Sequence, residues 1–176
     1  MPHLLEPAPT GRAKCRGCNT TIAKGELRLG ERLPNPFADD GGEMTHWFHL
    51  WCAAFRRPYP FLETAKTAGV EIPERDAMVR EAEMGAQHHR LPRVNVAERS
   101  SSGRAVCRHC KDAIAKDTWR ISLVYYEDGR FSPSGFIHIA CAKDYFETAD
   151  IMPRIRRFSS GLTEEDFQSL GAALLP

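Results

Sequence analysis

At 176 residues, with 42% hydrophobic and 27% charged side chains, the chain has room for one ordinary domain or two small ones. No run approaches the ~18 apolar residues a membrane-spanning helix requires, and the first ten residues, MPHLLEPAPT, lack the basic start and apolar core of a signal peptide, so the expected location is intracellular. A net charge of only +1 excludes a uniformly basic surface: any polyanion must be met by cations gathered on one face.

In chain order, the first feature is GRAKCRGC, residues 11–18, where Arg12, Lys14 and Arg16 form a basic strip around Cys15 and Cys18. Leu27-Arg28-Leu29 alternates as a half-buried strand does, which predicts a solvent-facing Arg28. The polar loop RLPNPFADDGGEMT follows, and Phe37, between proline-containing turns, is hard to place in a core. HWFHLWC then supplies His49 and Cys52, with Trp47, Phe48 and Trp51 expected to pack around them and His46 to lie at the surface or behind a ligand. A helix is predicted from Pro73 to Met84, with proline first, acids in the first turn and Gly85 as its stop.

Pro92 and the run Ser100 to Gly103 mark a turn-rich boundary, giving segments 1–92 and 93–176. The second segment repeats the first. GRAVCRHC, residues 103–110, holds Arg104, Cys107 and Cys110, 92 positions after their counterparts. Trp119-Arg120-Ile121 repeats the strand pattern, and Leu123 to Phe131 reads as a hairpin turning at Asp128-Gly129. GFIHIAC brings His138 and Cys141, now 89 positions after theirs, with Phe136 in the expected core. Arg154, Arg156 and Arg157 read as a solvated face, and Thr163 as the N-cap of a helix to Leu174.

All six cysteines fall in two sets of Cys-x2-Cys, a gap of 30 or 27 residues, and His-x2-Cys. Two close pairs from separate segments complete a tetrahedron, and soft sulfur with one imidazole suits zinc rather than magnesium or calcium. The expected cofactor is two zinc ions per chain, on Cys15, Cys18, His49, Cys52 and on Cys107, Cys110, His138, Cys141. A redox pair or disulfides are the competing readings of a lone Cys-x2-Cys. The fold class is α+β: two tandem zinc-stabilised modules, each a short antiparallel sheet with a helical tail.

GRA-x-C-x-x-C, a downstream Leu-Arg on a strand and HWFHLWC resemble the zinc fingers of poly(ADP-ribose) polymerase type, which also occur in a DNA ligase of the repair machinery. VNVAERSSSGRAVC resembles the family's entry into a second finger, which departs in lacking the Trp and in its shorter loop. The resemblance implies a partner, DNA at strand breaks or ends, bound by phosphate contacts and by stacking on exposed bases. It implies phosphate-contacting roles for Arg12, Arg28, Arg104 and Arg120, and a base-stacking role for Phe37. In the second finger Tyr125, Tyr126 and Phe131 are the candidates by location. Neither a phosphate-binding glycine loop nor a nucleotidyl-lysine motif is present, so a non-enzymatic DNA-binding protein is expected. Competing readings are a protein-interaction adaptor on a zinc scaffold and an RNA or single-strand binder. Without a nuclear-targeting run, the bacterial cytoplasm is expected ahead of the nucleus.

Overall fold

The computed structural model describes residues 2–175. The chain forms two compact units, Met1–Gln87 and His88–Pro176. Each has a three-stranded antiparallel sheet, a cluster of three cysteines and one histidine, and a helical tail.

In the first unit the strands are β1 (Leu4–Pro7), β2 (Leu27–Pro34) and β3 (Glu43–His49), in the order β1-β2-β3. Alternation in β2 sends Leu29 into a core with Ile22 and Phe48. The helices are α1 (Leu50–Arg56), α2 (Pro58–Thr67) and α3 (Arg75–Gln87). They bury Ala53, Phe55, Phe61, Met78 and Ala82. Pro58 opens α2, where the missing N–H costs nothing. The helix expected at Pro73 instead begins at Arg75, because Glu74 adopts a left-handed φ of 53° that no helix can include. Gly85 does not stop it: the residue is buried inside α3, which runs on to Gln87.

The second unit holds β4 (Val94–Arg99), β5 (Trp119–Glu127) and β6 (Arg130–His138) in the order β4-β5-β6. The β5–β6 hairpin turns at Asp128 and Gly129, with φ of 50° and 76°, as the Asp-Gly pair predicts for a two-residue turn. Short helices α4 (Ala142–Phe146) and α5 (Met152–Phe158) precede α6 (Glu164–Leu174). Thr163 and Asp166 close a reciprocal capping box at the start of α6. Arg154, expected on a wet face, is fully buried, and Arg156 is paired with Glu164.

The strands β1 and β4 were not anticipated, and they change the sheet's electrostatics. They make β2 and β5 central strands. In register they set Glu6 opposite Arg28 opposite His49, and Glu98 opposite Arg120 opposite His138. An acid–arginine–histidine row thus crosses each sheet and ends on a cysteine-cluster imidazole.

Candidate metal centres and nucleic-acid face

Cys15, Cys18, His49 and Cys52 converge at one end of the first sheet, and Cys107, Cys110, His138 and Cys141 at one end of the second. In each set all four ligand atoms lie within 4.8 Å of one another. The turn after Cys15 is held by Asn19 at a left-handed φ of 60°, and by Lys111 at 69° in the second unit. Gly17 leaves room at the first turn: a Cβ there would lie 2.8 Å from that of Cys52. The last pair is delivered at the junction of strand and helix, where two residues separate His49 from Cys52 along the chain.

The donor sets fit zinc. A tetrahedral ion with bonds of about 2.0–2.3 Å spaces its ligand atoms about 3.3–3.8 Å apart. His49 Nδ1 stands 3.4 Å from Cys18 Sγ and 4.0 Å from Cys52 Sγ. His138 Nδ1 stands 3.3 Å from Cys110 Sγ and 3.9 Å from Cys141 Sγ. In both units Nδ1 faces the sulfurs, while Nε2 lies 3.3 Å from the Thr21 carbonyl and 3.2 Å from that of Ala113. An Nε2–H donated to those carbonyls fixes the ligating tautomer. Backbone N–H groups of His49 and His138 donate to Cys15 and Cys107 Sγ at 3.3 and 3.4 Å. These features make two closed Cys3His sites for two zinc ions.

The electrostatics agree. Hydrogen bonds to Cys15 and Cys52 drive the Cys18 thiol far below its ordinary value, favouring thiolate. Hydrogen bonding to Cys15 and then Cys18 raises His49 to about 10. Burial pushes Cys141 up to about 12, aided by Cys110 and Cys107. A dication among these groups lets all three sulfurs of a set ionise together and the imidazole bind as the neutral form.

The residues expected to face nucleic acid divide into two groups. Arg12, Lys14, Arg16 and Arg104 are exposed. Phe37 is 82% exposed on the loop joining β2 and β3. That loop is ordered by its own polar groups: Asn35 Oδ1 accepts from the Phe37 N–H at 3.0 Å, and the Asn35 N–H donates to the Gly42 carbonyl at 2.8 Å. In the second unit Tyr125 is exposed, whereas Tyr126 and Phe131 pack on each other with ring centres 4.6 Å apart.

Arg28 and Arg120 correct the expectation of solvent-facing strand arginines: they are only 6% and 7% exposed. Arg28 lies 3.5 Å over the Trp47 ring and donates to Glu6 at 2.7 Å. Arg120 lies 3.7 Å over Phe136 and donates to Glu98 at 2.6 Å. A flat guanidinium sandwiched between ring and carboxylate is hidden without entering the apolar core. Trp47 and Phe136, expected in that core, are half-buried platforms for these arginines, and a Cβ on Gly30 would meet the Trp47 ring at 2.6 Å. His46 is buried opposite Glu31 rather than at the surface, and burial, followed by Arg16, holds its pKa below the ordinary value. Glu6 and Glu98 escaped the sequence reading, although the 92-residue spacing that aligns the cysteines also aligns them.

Residues 6–81 match the family model described as the poly(ADP-ribose) polymerase and DNA-ligase zinc-finger region. A poly [ADP-ribose] polymerase of Drosophila melanogaster is 27% identical over 190 residues, covering 97% of this chain and 18% of its own length. Poly [ADP-ribose] polymerase 1 of Gallus gallus is 28% identical over 136 residues, covering 69% of this chain and 13% of its own. The polynucleotide 3′-phosphatase ZDP of Arabidopsis thaliana is 23% identical over 188 residues, covering 91% and 26%. The chain therefore spans between 13% and 26% of the length of these relatives. The family match spans most of the first unit.

Proposed function

We propose that this chain binds DNA at strand breaks or ends, holding the backbone through arginine and lysine and covering an exposed base with Phe37, without catalysing a reaction itself, and that it serves DNA repair. The observation that carries this reading is Phe37: a large aromatic ring, 82% exposed, on an ordered loop of a zinc-pinned module. An intact duplex offers such a ring no base face; a break does, and stacking there tolerates any sequence. Arg12, Lys14 and Arg16 place positive charge on the same module, and phosphate neutralisation adds affinity without sequence preference. Arg28 and Arg120 join by exchange. Glu6 and Glu98, each about two-fifths exposed at the side chain, give way to an arriving phosphate. A relative whose name makes it a phosphatase of polynucleotide 3′ ends is in keeping with this use of the fold.

The test is a gel-shift series on nicked, blunt, overhanging and covalently closed duplexes, with an RNA arm. Preference for any discontinuous duplex is the expected result. Equal affinity for closed circles would end the break-binding reading, tighter RNA binding would reassign the ligand, and no binding at low salt would leave a protein-interaction scaffold.

A further inference from the structure

The second unit contains an open cavity of about 520 Å³ beside its zinc cluster, lined by Arg90, Arg93, Arg108, His109, Lys111 and Tyr145. We propose that this cavity binds a phosphomonoester at the terminus of a DNA strand. The proposal rests on the break-binding reading for the source of the phosphate, and on the cavity alone for its chemistry.

The first observation is charge without counter-charge. Several arginines elsewhere are matched with a carboxylate: Arg28 with Glu6, Arg32 with Glu43, Arg57 with Glu31, Arg120 with Glu98 and Arg156 with Glu164. Among the described residues, no carboxylate pairs with Arg90, Arg93, Arg108 or Lys111, and none lines the cavity. Three thiolates, a neutral imidazole and a zinc dication carry one net negative charge, which a single cation balances. Four permanent cations leave a local surplus of positive charge that favours an incoming anion.

The second observation is that these cations are held in place. Arg90 sits 5.1 Å from the Tyr145 ring, and Arg93 Nη1 3.5 Å from its hydroxyl. Arg108 donates Nε to the Ser134 carbonyl at 3.0 Å, which leaves its two terminal nitrogens for a ligand. Its path depends on Gly135, at φ +95°, where a Cβ would meet Arg108 Nε at 2.7 Å. At the matching position the first unit has the buried His46. Lys111 donates to the Arg108 carbonyl at 2.6 Å, from a left-handed backbone position that the first unit gives to Asn19. The second unit keeps the knuckle arginine, Arg108 where the first has Arg16, exchanges Asn19 for Lys111, and opens a passage for Arg108 at Gly135.

The third observation selects the ligand. Backbone phosphodiesters carry one charge each on a convex rod. A terminal phosphomonoester projects from the strand, carries a charge of about −1.5 to −2 and offers three acceptor oxygens. Forked guanidinium donors converging from the segment before β4 and from the zinc knuckle suit that group. The division of labour also fits the hairpins: the long loop bearing Phe37 has no counterpart at the two-residue Asp128–Gly129 turn, so the second unit reads phosphate where the first reads a base.

The test titrates the zinc-loaded full chain with one trinucleotide in three forms, 5′-phosphorylated, 3′-phosphorylated and hydroxyl-ended, following the arginine Nε–H resonances by NMR. Saturable shifts at Arg93 and Arg108 are expected with one or both phosphorylated forms, at least about tenfold tighter than with the hydroxyl form. The exposed Lys111→Gln should weaken this preference, and Lys111→Gln with Arg108→Gln should abolish it with zinc content unchanged. Equal affinity for all three forms, or an intact preference in the double variant, would overturn the proposal. A nicked duplex with a 5′-phosphate or 5′-hydroxyl at the nick separates the two readings. Duplex binding indifferent to the phosphate removes the cavity and keeps break recognition. Trinucleotide discrimination with no duplex binding removes break recognition and keeps the cavity.

Discussion

Exhaustive chelation is expected to unfold both units. Structural zinc in Cys3His-type sites supplies roughly 10–16 kcal/mol of binding free energy at neutral pH, as much as or more than the ~5–15 kcal/mol that holds a typical domain folded. Here the ligands join the end of a sheet to the start of a helical tail, so losing the ion releases both. Without a cation, thiolates held within 4.8 Å of one another and of an imidazole repel and protonate. Cys15→Ser or Cys52→Ser should unfold the first unit alone, measured by circular dichroism, melting and zinc content. Acid should act in the same direction. At Cys107, burial raises the pKa, but backbone N–H groups of His138, Cys110 and His109 outweigh it and bring the thiol down to about 6 from 9.0. A depressed folded-state value contributes stability present above 9.0 and lost as the pH falls through about 6. Melting and helicity unchanged after complete metal removal would contradict this origin of the fold's stability.

Phe37→Ala is expected to weaken binding to a nicked or overhanging duplex about 5- to 150-fold, the range that ~1–3 kcal/mol of base stacking implies. The same substitution should leave zinc content and melting unaltered, because an 82% exposed side chain contributes little to stability. Phe37→Trp should keep most of the affinity by preserving a flat apolar face. The loop's internal hydrogen bonds run through the backbone of Phe37 and through Asn35, so neither change should disorder it. Fluorescence anisotropy on one nicked hairpin measures all three proteins. Wild-type affinity in Phe37→Ala would take the ring out of the interface.

The metal sites were legible because their information is one-dimensional. Two close pairs at fixed spacing, repeated after 92 residues, leave no cysteine unassigned. The Asp128-Gly129 turn and the Thr163 cap were legible for the same reason: each is written in adjacent residues. What escaped depends on distant partners. Leu4–Pro7 is too short to show alternation and ends in a proline, yet it pairs with β2 and delivers Glu6 to Arg28. Its counterpart Val94–Arg99 lies in what reads as a linker. Once those strands are in place, Arg28 and Arg120 pass from the surface to buried, matched positions. Arg154 likewise cannot be told from Arg156 in a basic run, though one is fully buried and the other meets Glu164 in solvent. The unpaired cations beside the second cluster are separated in sequence by the whole strand β4 and its following loop, and only folding brings them to one cavity.

Native mass spectrometry of the full chain with a nicked duplex weighs protein, metal and DNA in one particle. The expected mass is that of one or more chains on the duplex, each carrying two zinc ions, with the complex lost when the metal is chelated. A folded, DNA-bound chain that carries no metal would contradict it.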